Sequence, residues 1–295
     1  MTVKKQVLAI INPISGGKKK QHLPYLLQQF INHTTIDLTI AFSKDGTHLK
    51  ELAQTAVNKH FDAVIAAGGD GTINAIATQL VNTPVCMGII PLGSGNGFAN
   101  ALKIPKQIKS SVAVINKFSS RKIDCGTINN KLFVNVAGTG FDASIGYAFN
   151  KFKKRGLITY VKLVISQIFN FKSKPLTVVC NQQTHIFEKV FLATVGNGMQ
   201  YGNNVYITPE AMLNDGLLNL IVIEKLNLVR ALKLMYAVFT KKFGICNSFC
   251  HHFVAADFIL IRNQQEAANI DGESEILEEA LQIKVLPDSL NVLIP

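Results

Sequence analysis

Short apolar runs alternate with helix-spaced apolar positions along the first 124 residues. Residues 7–11 form a buried-strand pattern that stops at Asn12-Pro13. Residues 36–42 repeat it, followed by helical spacing at Leu49, Leu52, Ala53, Ala56 and Val57. A third apolar run, 63–67, is broken by Gly68-Gly69. A helix is predicted to open at Thr72, with Ile73, Ile76, Ala77 and Leu80 on one face. The run 85–90 then ends at Pro91 and a glycine cluster, 93–97. Alternation of this kind predicts a layered α/β domain with a mostly parallel sheet, whose ligands bind beyond the carboxyl ends of the strands.

The pattern changes near Asp124. Residues 125–128, Asn129-Asn130 and 132–136 predict a hairpin with a two-residue turn. Residues 178–180, Asn181-Gln182-Gln183 and 185–194 predict another. Runs at 217–223, 253–261 and 281–285 add strands, interrupted by a helix from about 228 to 240. A second, predominantly antiparallel β domain over 125–287 is expected. Residues 290–294 form a terminal strand that spacing alone assigns to neither domain.

Composition narrows the class. Of 295 residues 48% are hydrophobic and 17% charged, which excludes disorder. No apolar run approaches the roughly 18 residues that span a bilayer. Lys4 and Lys5 before the first apolar run superficially resemble a secretory signal, but the run is short and lacks a small-residue cleavage pattern. Five cysteines, an odd number, mostly beside apolar stretches, indicate reduced thiols in a cytoplasmic protein. Cys246, Cys250, His251 and His252 are close in sequence, yet their spacing is neither that of a zinc knuckle nor that of a zincin. A loop feeding a strand is the preferred reading.

The formal charge is +11, from 30 Lys+Arg and 19 Asp+Glu. No acid occurs from Ala143 to Phe187, a stretch carrying Lys151, Lys153, Lys154, Arg155, Lys162, Lys172 and Lys174 among aromatic and aliphatic residues. Cations interleaved with apolar side chains fit an anionic membrane surface better than a nucleic-acid groove. A solvated basic helix face is the plainer alternative.

Three glycine-bearing turns follow the first, third and fourth of these strand runs. Gly68-Gly69-Asp70-Gly71-Thr72 lets backbone N–H groups converge on an anion, and the helix dipole adds to them. Asp70, inside that cradle, could hold Mg2+ or assist proton transfer. In chain order that turn is the second: Asn12-Pro13-Ile14-Ser15-Gly16-Gly17-Lys18 forms the first, where Lys18 either meets a phosphate or is simply solvated, and Pro91-Leu92-Gly93-Ser94-Gly95-Asn96-Gly97 forms the third.

These three turns, with Gly196-Asn197-Gly198, Gly202, Pro209, Leu213-Asn214-Asp215-Gly216-Leu217 and Asp271-Gly272-Glu273, resemble the diacylglycerol/sphingosine lipid kinase family, most of all its bacterial branch. The motifs stand in the family's order over nearly the whole chain. The resemblance implies a first domain like that of NAD kinases and phosphofructokinases, covering 1–124 plus a returning terminal strand at about 288–295, and a β-rich domain over 125–287 carrying the metal site, base and lipid acceptor region. It implies ATP held by Asn12, Ser15, Gly16, Ser43, Gly68, Gly69, Asp70, Gly71, Thr72, Gly93 and Ser94. It implies Mg2+ at Asp215 with the carbonyls of Met212 and Leu217. Glu273 matches the general base, with Asp271 and Asp70 near the metal and phosphates. The expected reaction is transfer of the γ-phosphate of ATP to a hydroxyl of a membrane lipid, by a cytoplasmic protein peripheral on the inner membrane face. A homodimer is allowed but not specified. Gly97 is a departure, since diacylglycerol kinases of the family commonly carry Asp there; it weakens any specific claim for diacylglycerol.

Rival readings fare worse. Gly138-Thr139-Gly140-Phe141-Asp142-Ala143 formally fits a dinucleotide fingerprint, but no acid follows until Glu188. A soluble NAD kinase shares the Gly-Gly-Asp-Gly-Thr turn, yet no Asn-Glu dipeptide of that family occurs. No Gly-x4-Gly-Lys-Ser/Thr exists for a P-loop. A non-catalytic nucleotide- or lipid-binding regulator on the same fold is kept open by Gly97 but has to account for Asp70, Asp215 and Glu273.

Overall fold

The computed structural model describes residues 3–17, 20–150, 167, 168 and 170–295. Lys18 and the basic stretch from Lys151 to Lys162 lie outside them. The chain divides into two compact units, Met1–Asp124 with Asp288–Pro295, and Cys125–Pro287.

The first unit contains β1 (Lys5–Ile11), α1 (Leu23–Phe30), β2 (Ile36–Phe42), α2 (Gly46–Asn58), β3 (Ala63–Gly68), α3 (Asp70–Leu80), β4 (Cys86–Pro91), α4 (Gly97–Ala101) and α5 (Ile108–Lys117). Its strands lie parallel in the order β2-β1-β3-β4. Residues 63–68 are buried without exception, as expected of a parallel strand covered on both faces. Val7, Ala9, Ile11, Ala63, Ile65 and Ala67 pack with Leu23 and Leu27 of α1 and Val112 and Ile115 of α5. The alternate residues Leu8, Ile10, Val64 and Ala66 are equally buried on the α2 and α3 side. Asp45 caps α2 by accepting the His48 N–H at 2.8 Å. Because β2 and β3 flank β1, the crossover direction reverses at β1, which creates a switch point beside the β1/β3 pair.

Sequence reading and structure differ here in two respects. Helix α3 begins at Asp70, not Thr72, with Gly69 as its N-cap. Helices α1 and α5 have no counterpart in the pattern reading; each is short, and Pro24 sits in the first turn of α1.

The second unit holds β5 (Ser120–Ile128, shared with the first), β6 (Lys131–Phe133), β7 (Val136–Gly140), α6 (Phe141–Asn150), β8 (Lys174–Cys180), β9 (Gln183–Gly196), β10 (Gln200–Gly202), β11 (Val205–Tyr206), β12 (Leu218–Glu224), α7 (Leu228–Thr240), β13 (Cys250–Ala255), β14 (Asp257–Ile261), β15 (Glu266–Ile270), β16 (Glu273–Leu277) and β17 (Ala280–Leu293, shared). Its described pairings are antiparallel. Strand β9 pairs with β8 through its first half and with β7 and β12 through its second. Phe133, Phe258, Leu220, Leu260 and Leu281 fill the core between them.

Four hairpins turn on two residues that both have positive φ: Asn129 and Asn130, Asn181 and Gln182, Asn203 and Asn204, Asp271 and Gly272. That is the type I′ geometry, favoured by Asn and by Asp-Gly. The β8–β9 turn is therefore two residues rather than three. The predicted strand 132–136 breaks after Phe133, and the stretch 253–261 is two strands. The break falls at Ala256, where the chain leaves its pairing with β12 for pairings with β8 and β17. Strand β17 runs on through Pro287 into the first unit, where Val292 pairs with Met87 of β4. No described helix is long and apolar enough to cross a membrane.

Candidate active site

In the first unit, every sequence-predicted nucleotide residue lies at or just beyond the carboxyl end of β1, β2, β3 or β4. The three glycine turns interlock. A Cβ on Gly16 (φ 63°) would sit 2.0 Å from the Leu92 carbonyl oxygen, and one on Gly93 would sit 2.6 Å from Gly69 Cα. Backbone can approach this closely only where side chains are missing. Hydrogen bonds fix the arrangement. Leu92 N–H donates to Gly68 O at 2.7 Å, and Asn12 Nδ2 donates to Thr72 Oγ1 at 2.9 Å. Asn96, in the left-handed region, ties the 93–96 turn to itself by accepting from Gly93 N–H and donating to Gly93 O.

The individual residues fall into distinct roles. Asp70 is the first acid of α3, where a negative charge complements the helix dipole. Thr72 is buried and joins the first turn to the second. Ser15 closes the first turn by donating to Asn12 O at 3.0 Å. Ser43 is buried after β2, its hydroxyl 3.5 Å from Ile11 O, too long for a strong bond. Ser94 is exposed at the tip of the third turn, and Gly71 lies in the first turn of α3.

In the second unit, Asp271-Gly272 is the β15–β16 turn. Asp271 is buried. Its carboxylate accepts N–H bonds from Val134 at 2.8 Å, Asn135 at 2.9 Å and Val136 at 3.0 Å. Both oxygens are engaged within this unit, so Asp271 positions backbone here instead of presenting a proton acceptor. Glu273, two residues on, is exposed and opens β16 opposite Ile270.

Further polar residues converge on that turn, and sequence reasoning passed over their roles. Asn269 accepts the Gly272 N–H at 3.0 Å. Asn135 accepts N–H bonds from Asn197 and Gly198 through its carbonyl and donates to Gln200 O, and Asn197 Nδ2 donates to Val134 O. Asp142 receives the Tyr201 hydroxyl at 2.9 Å, while Thr194 meets that hydroxyl at 2.7 Å. Burial pushes the Asp142 carboxyl up to about 6, against the opposing pull of the Tyr201 hydrogen bond. Asn197 stands in the Gly196-Asn197-Gly198 motif and Asp142 in the Gly138–Ala143 run; for Asn135, Thr194 and Asn269 the signal is a polar residue within an otherwise apolar, strand-forming stretch.

Asp215 accepts the Leu217 N–H at 3.1 Å, and Gly216 takes φ 71°. Met212, Asp215 and Leu217 thus lie on one short turn whose donors are a carboxylate and main-chain carbonyls, the oxygen chemistry a hard divalent cation takes. Among the described residues no three His, Cys, Asp or Glu side chains are grouped to hold a metal. Cys246 ends a short 3-10 helix, a turn follows, and β13 opens at Cys250. His251 meets Glu224 and His252 meets Asn219. Burial pushes the Cys250 thiol up to about 12.

Comparison with known proteins places both units in known families. Residues 6–128 match the diacylglycerol kinase catalytic domain, and residues 135–294 match the YegS C-terminal NAD kinase beta sandwich-like domain. A diacylglycerol kinase of Bacillus subtilis (strain 168) is 33% identical over 242 residues, 78% of this chain and 77% of the relative. A diacylglycerol kinase structure from Bacillus anthracis str. Sterne superposes with a TM-score of 0.74 at 21% identity, covering 100% of this chain and 98% of that one. An NAD kinase from Archaeoglobus fulgidus in complex with ATP shares the fold at a TM-score of 0.53 and 12% identity, covering 98% and 93% of the two chains. The chain belongs to the diacylglycerol kinase family of ATP-dependent lipid kinases.

Proposed function

We propose that this protein transfers the γ-phosphoryl group of ATP to a hydroxyl of a membrane lipid such as a diacylglycerol. The observation that carries the reading is the interlocked set of glycine turns at the carboxyl ends of β1, β3 and β4. Its backbone N–H groups and the α3 N-terminus are the chemistry that receives polyphosphate. The names of the relatives supply the acceptor class.

In phosphoryl transfer through a loose transition state the protein mainly positions groups and offsets charge. Asn12, Ser15, Gly16, Gly68, Gly69, Gly71, Thr72, Gly93 and Ser94 bind and orient the nucleotide. Ser43 shapes the floor beside them. Glu273, exposed and carried on a rigid hairpin, accepts the proton of the acceptor hydroxyl. Asp70 lies close enough to the phosphate turn to align it through a cation. Asp215, with the carbonyls of Met212 and Leu217, would hold Mg2+, which when bound neutralises phosphate charge. The acceptor reaches the protein from the inner face of an anionic membrane, a reading supported by the acid-free basic stretch between Ala143 and Phe187.

The test is phosphorylation with radiolabelled ATP against diacylglycerol, sphingoid bases, ceramide, undecaprenol and NAD. Label on a lipid alcohol is expected; label on NAD and on no lipid would overturn the assignment. Glu273→Gln should lower turnover by about two to four orders of magnitude and leave ATP binding intact. Near-normal turnover would remove Glu273 as the base.

A further inference from the structure

Helix α7 is apolar on both sides. Its inner face packs Leu234 and Ala237, with Ala231 and Val238 beside them, against Ile221, Ile223 and Phe249. Successive residues turn by about 100°, so Leu228, Val229, Leu232, Met235, Tyr236 and Phe239 share one outward arc of about 120°, uninterrupted by a charged residue. Each is between 48% and 63% exposed. A helix that only covers a core places charged or polar side chains there, and single exposed apolar residues need no explanation, whereas a contiguous patch does. Ile245, 41% exposed in the turn after the helix, extends it.

The charge around the arc has one sign. Lys225 precedes the helix, Lys233 borders the arc, and Lys241 and Lys242 follow it; all four are exposed. No Asp or Glu occurs from Lys225 to Ala256. Lys241 is held 4.1 Å over the Tyr206 ring. Arg230, by contrast, lies toward the core side, near Glu224 and over the Phe249 ring.

We propose that α7 is a membrane-docking helix, its outward apolar arc entering the interface of an anionic bilayer while Lys225, Lys233, Lys241 and Lys242 meet the lipid headgroups. An apolar face bordered by lysines is the amphipathic composition that lies in a bilayer interface, where apolar burial and attraction to anionic lipid add. A second copy of the chain fits less well. A two-fold contact through the same arc brings like lysines together, and lysine is depleted in protein interfaces. None of these residues is among those proposed for phosphoryl transfer, and the docking is independent of which lipid is phosphorylated.

The experiment is co-sedimentation of the full chain with phosphatidylcholine vesicles, with and without phosphatidylglycerol, at low and high salt. The unaltered protein is expected to bind the phosphatidylglycerol vesicles, and salt is expected to weaken the binding. Leu232→Ser with Phe239→Ser should reduce it at least tenfold, and Lys233→Gln with Lys242→Gln should reduce it several-fold and flatten its salt dependence. Ile186→Ser, an exposed apolar site on β9, serves as the control and should change nothing. All variants should melt as the unaltered protein does, since each altered position is exposed. Binding by the Leu232/Phe239 variant within twofold of the unaltered protein would overturn the proposal. So would equal loss in the Ile186 control, or a concentration-dependent dimer that this double variant dissolves while vesicle binding persists. Because vesicle binding is read without turnover, a kinase inactive on every lipid would leave this result interpretable.

Discussion

The glycine turns of the first unit and the acidic turn of the second reach order by opposite routes. At Gly16 and Gly93 the geometry exists because side chains are absent: main chain lies where a Cβ would collide, and a Cβ on Gly69 would crowd Gly93 Cα at 3.1 Å. At Asp271 it exists because a side chain is present: one carboxylate gathers three consecutive backbone N–H groups, and Asn269 holds the turn from the other side. The first arrangement leaves backbone donors available to a ligand. The second uses its donors internally and leaves only Glu273 outward. A turn built by exclusion therefore tolerates no addition, and a turn built by hydrogen bonds tolerates no removal.

The strongest way to break the comparison is Gly93→Val. Its Cβ meets Gly69 Cα at 2.6 Å and Asn96 Oδ1 at 2.9 Å, so the second and third turns have to separate. A shift of even 1 Å in a positioned group costs about 100-fold in rate. Turnover should fall by at least that much, with ATP-analogue affinity by calorimetry falling too. Unchanged affinity would show that the interlock does not shape the nucleotide site. Next in size is Asp271→Ala, which strands three buried N–H groups at a cost of about 1–3 kcal/mol each when water cannot replace the bond. The expected loss is about 3 kcal/mol or more in denaturant unfolding. Glu273→Gln should leave stability unchanged, so equal stability losses in the two variants would erase the distinction between positioning and catalysis. Gly272→Ala is milder. Nothing lies within 4 Å of its Cβ, but φ is +90°, so strain alone should cost about 1–2 kcal/mol.

The smallest effect is one of slope. Asp142 titrates near 6 in the folded chain against 3.8 as a free side chain. The folded state holds that proton more tightly, so the contribution of Asp142 to stability is full below about pH 4 and is lost as pH rises through 6. Unfolding free energies of the unaltered protein and Asp142→Asn, measured from pH 4 to 7, should diverge over that interval. Parallel curves would show that Asp142 titrates normally.

The contrast also explains which parts could be read from the sequence. Glycine turns announce themselves, since Gly68-Gly69 and Gly93 interrupt apolar runs that have no other reason to stop. Strands β1, β3 and β4 were legible because burial on both faces writes an unbroken apolar run. Asp271 was legible only as an acid beside Glu273, because its partners are backbone N–H groups 135 to 137 residues away, and any residue type supplies those. The break at Ala256 was hidden for a similar reason: the strand changes partners, not character. Pro287 and Asp288 read as an end, yet β17 continues through them because Asp288 N–H finds the Asp124 carboxylate at 2.8 Å. In the apolar stretch 232–239, core packing accounts for Leu234 and Ala237 but not for the exposed Leu232 and Phe239.

The path of β17 carries a consequence for biosynthesis. Leu290, Val292 and Leu293 are fully buried in the first unit, and Ser289 O accepts the Asn82 N–H at 2.7 Å. A ribosome makes these residues only after it has made all of the second unit. The first unit is therefore begun before the second and completed after it, and its β4 edge waits through the synthesis of more than 160 intervening residues. That open edge is the strand a chaperone would have most reason to cover.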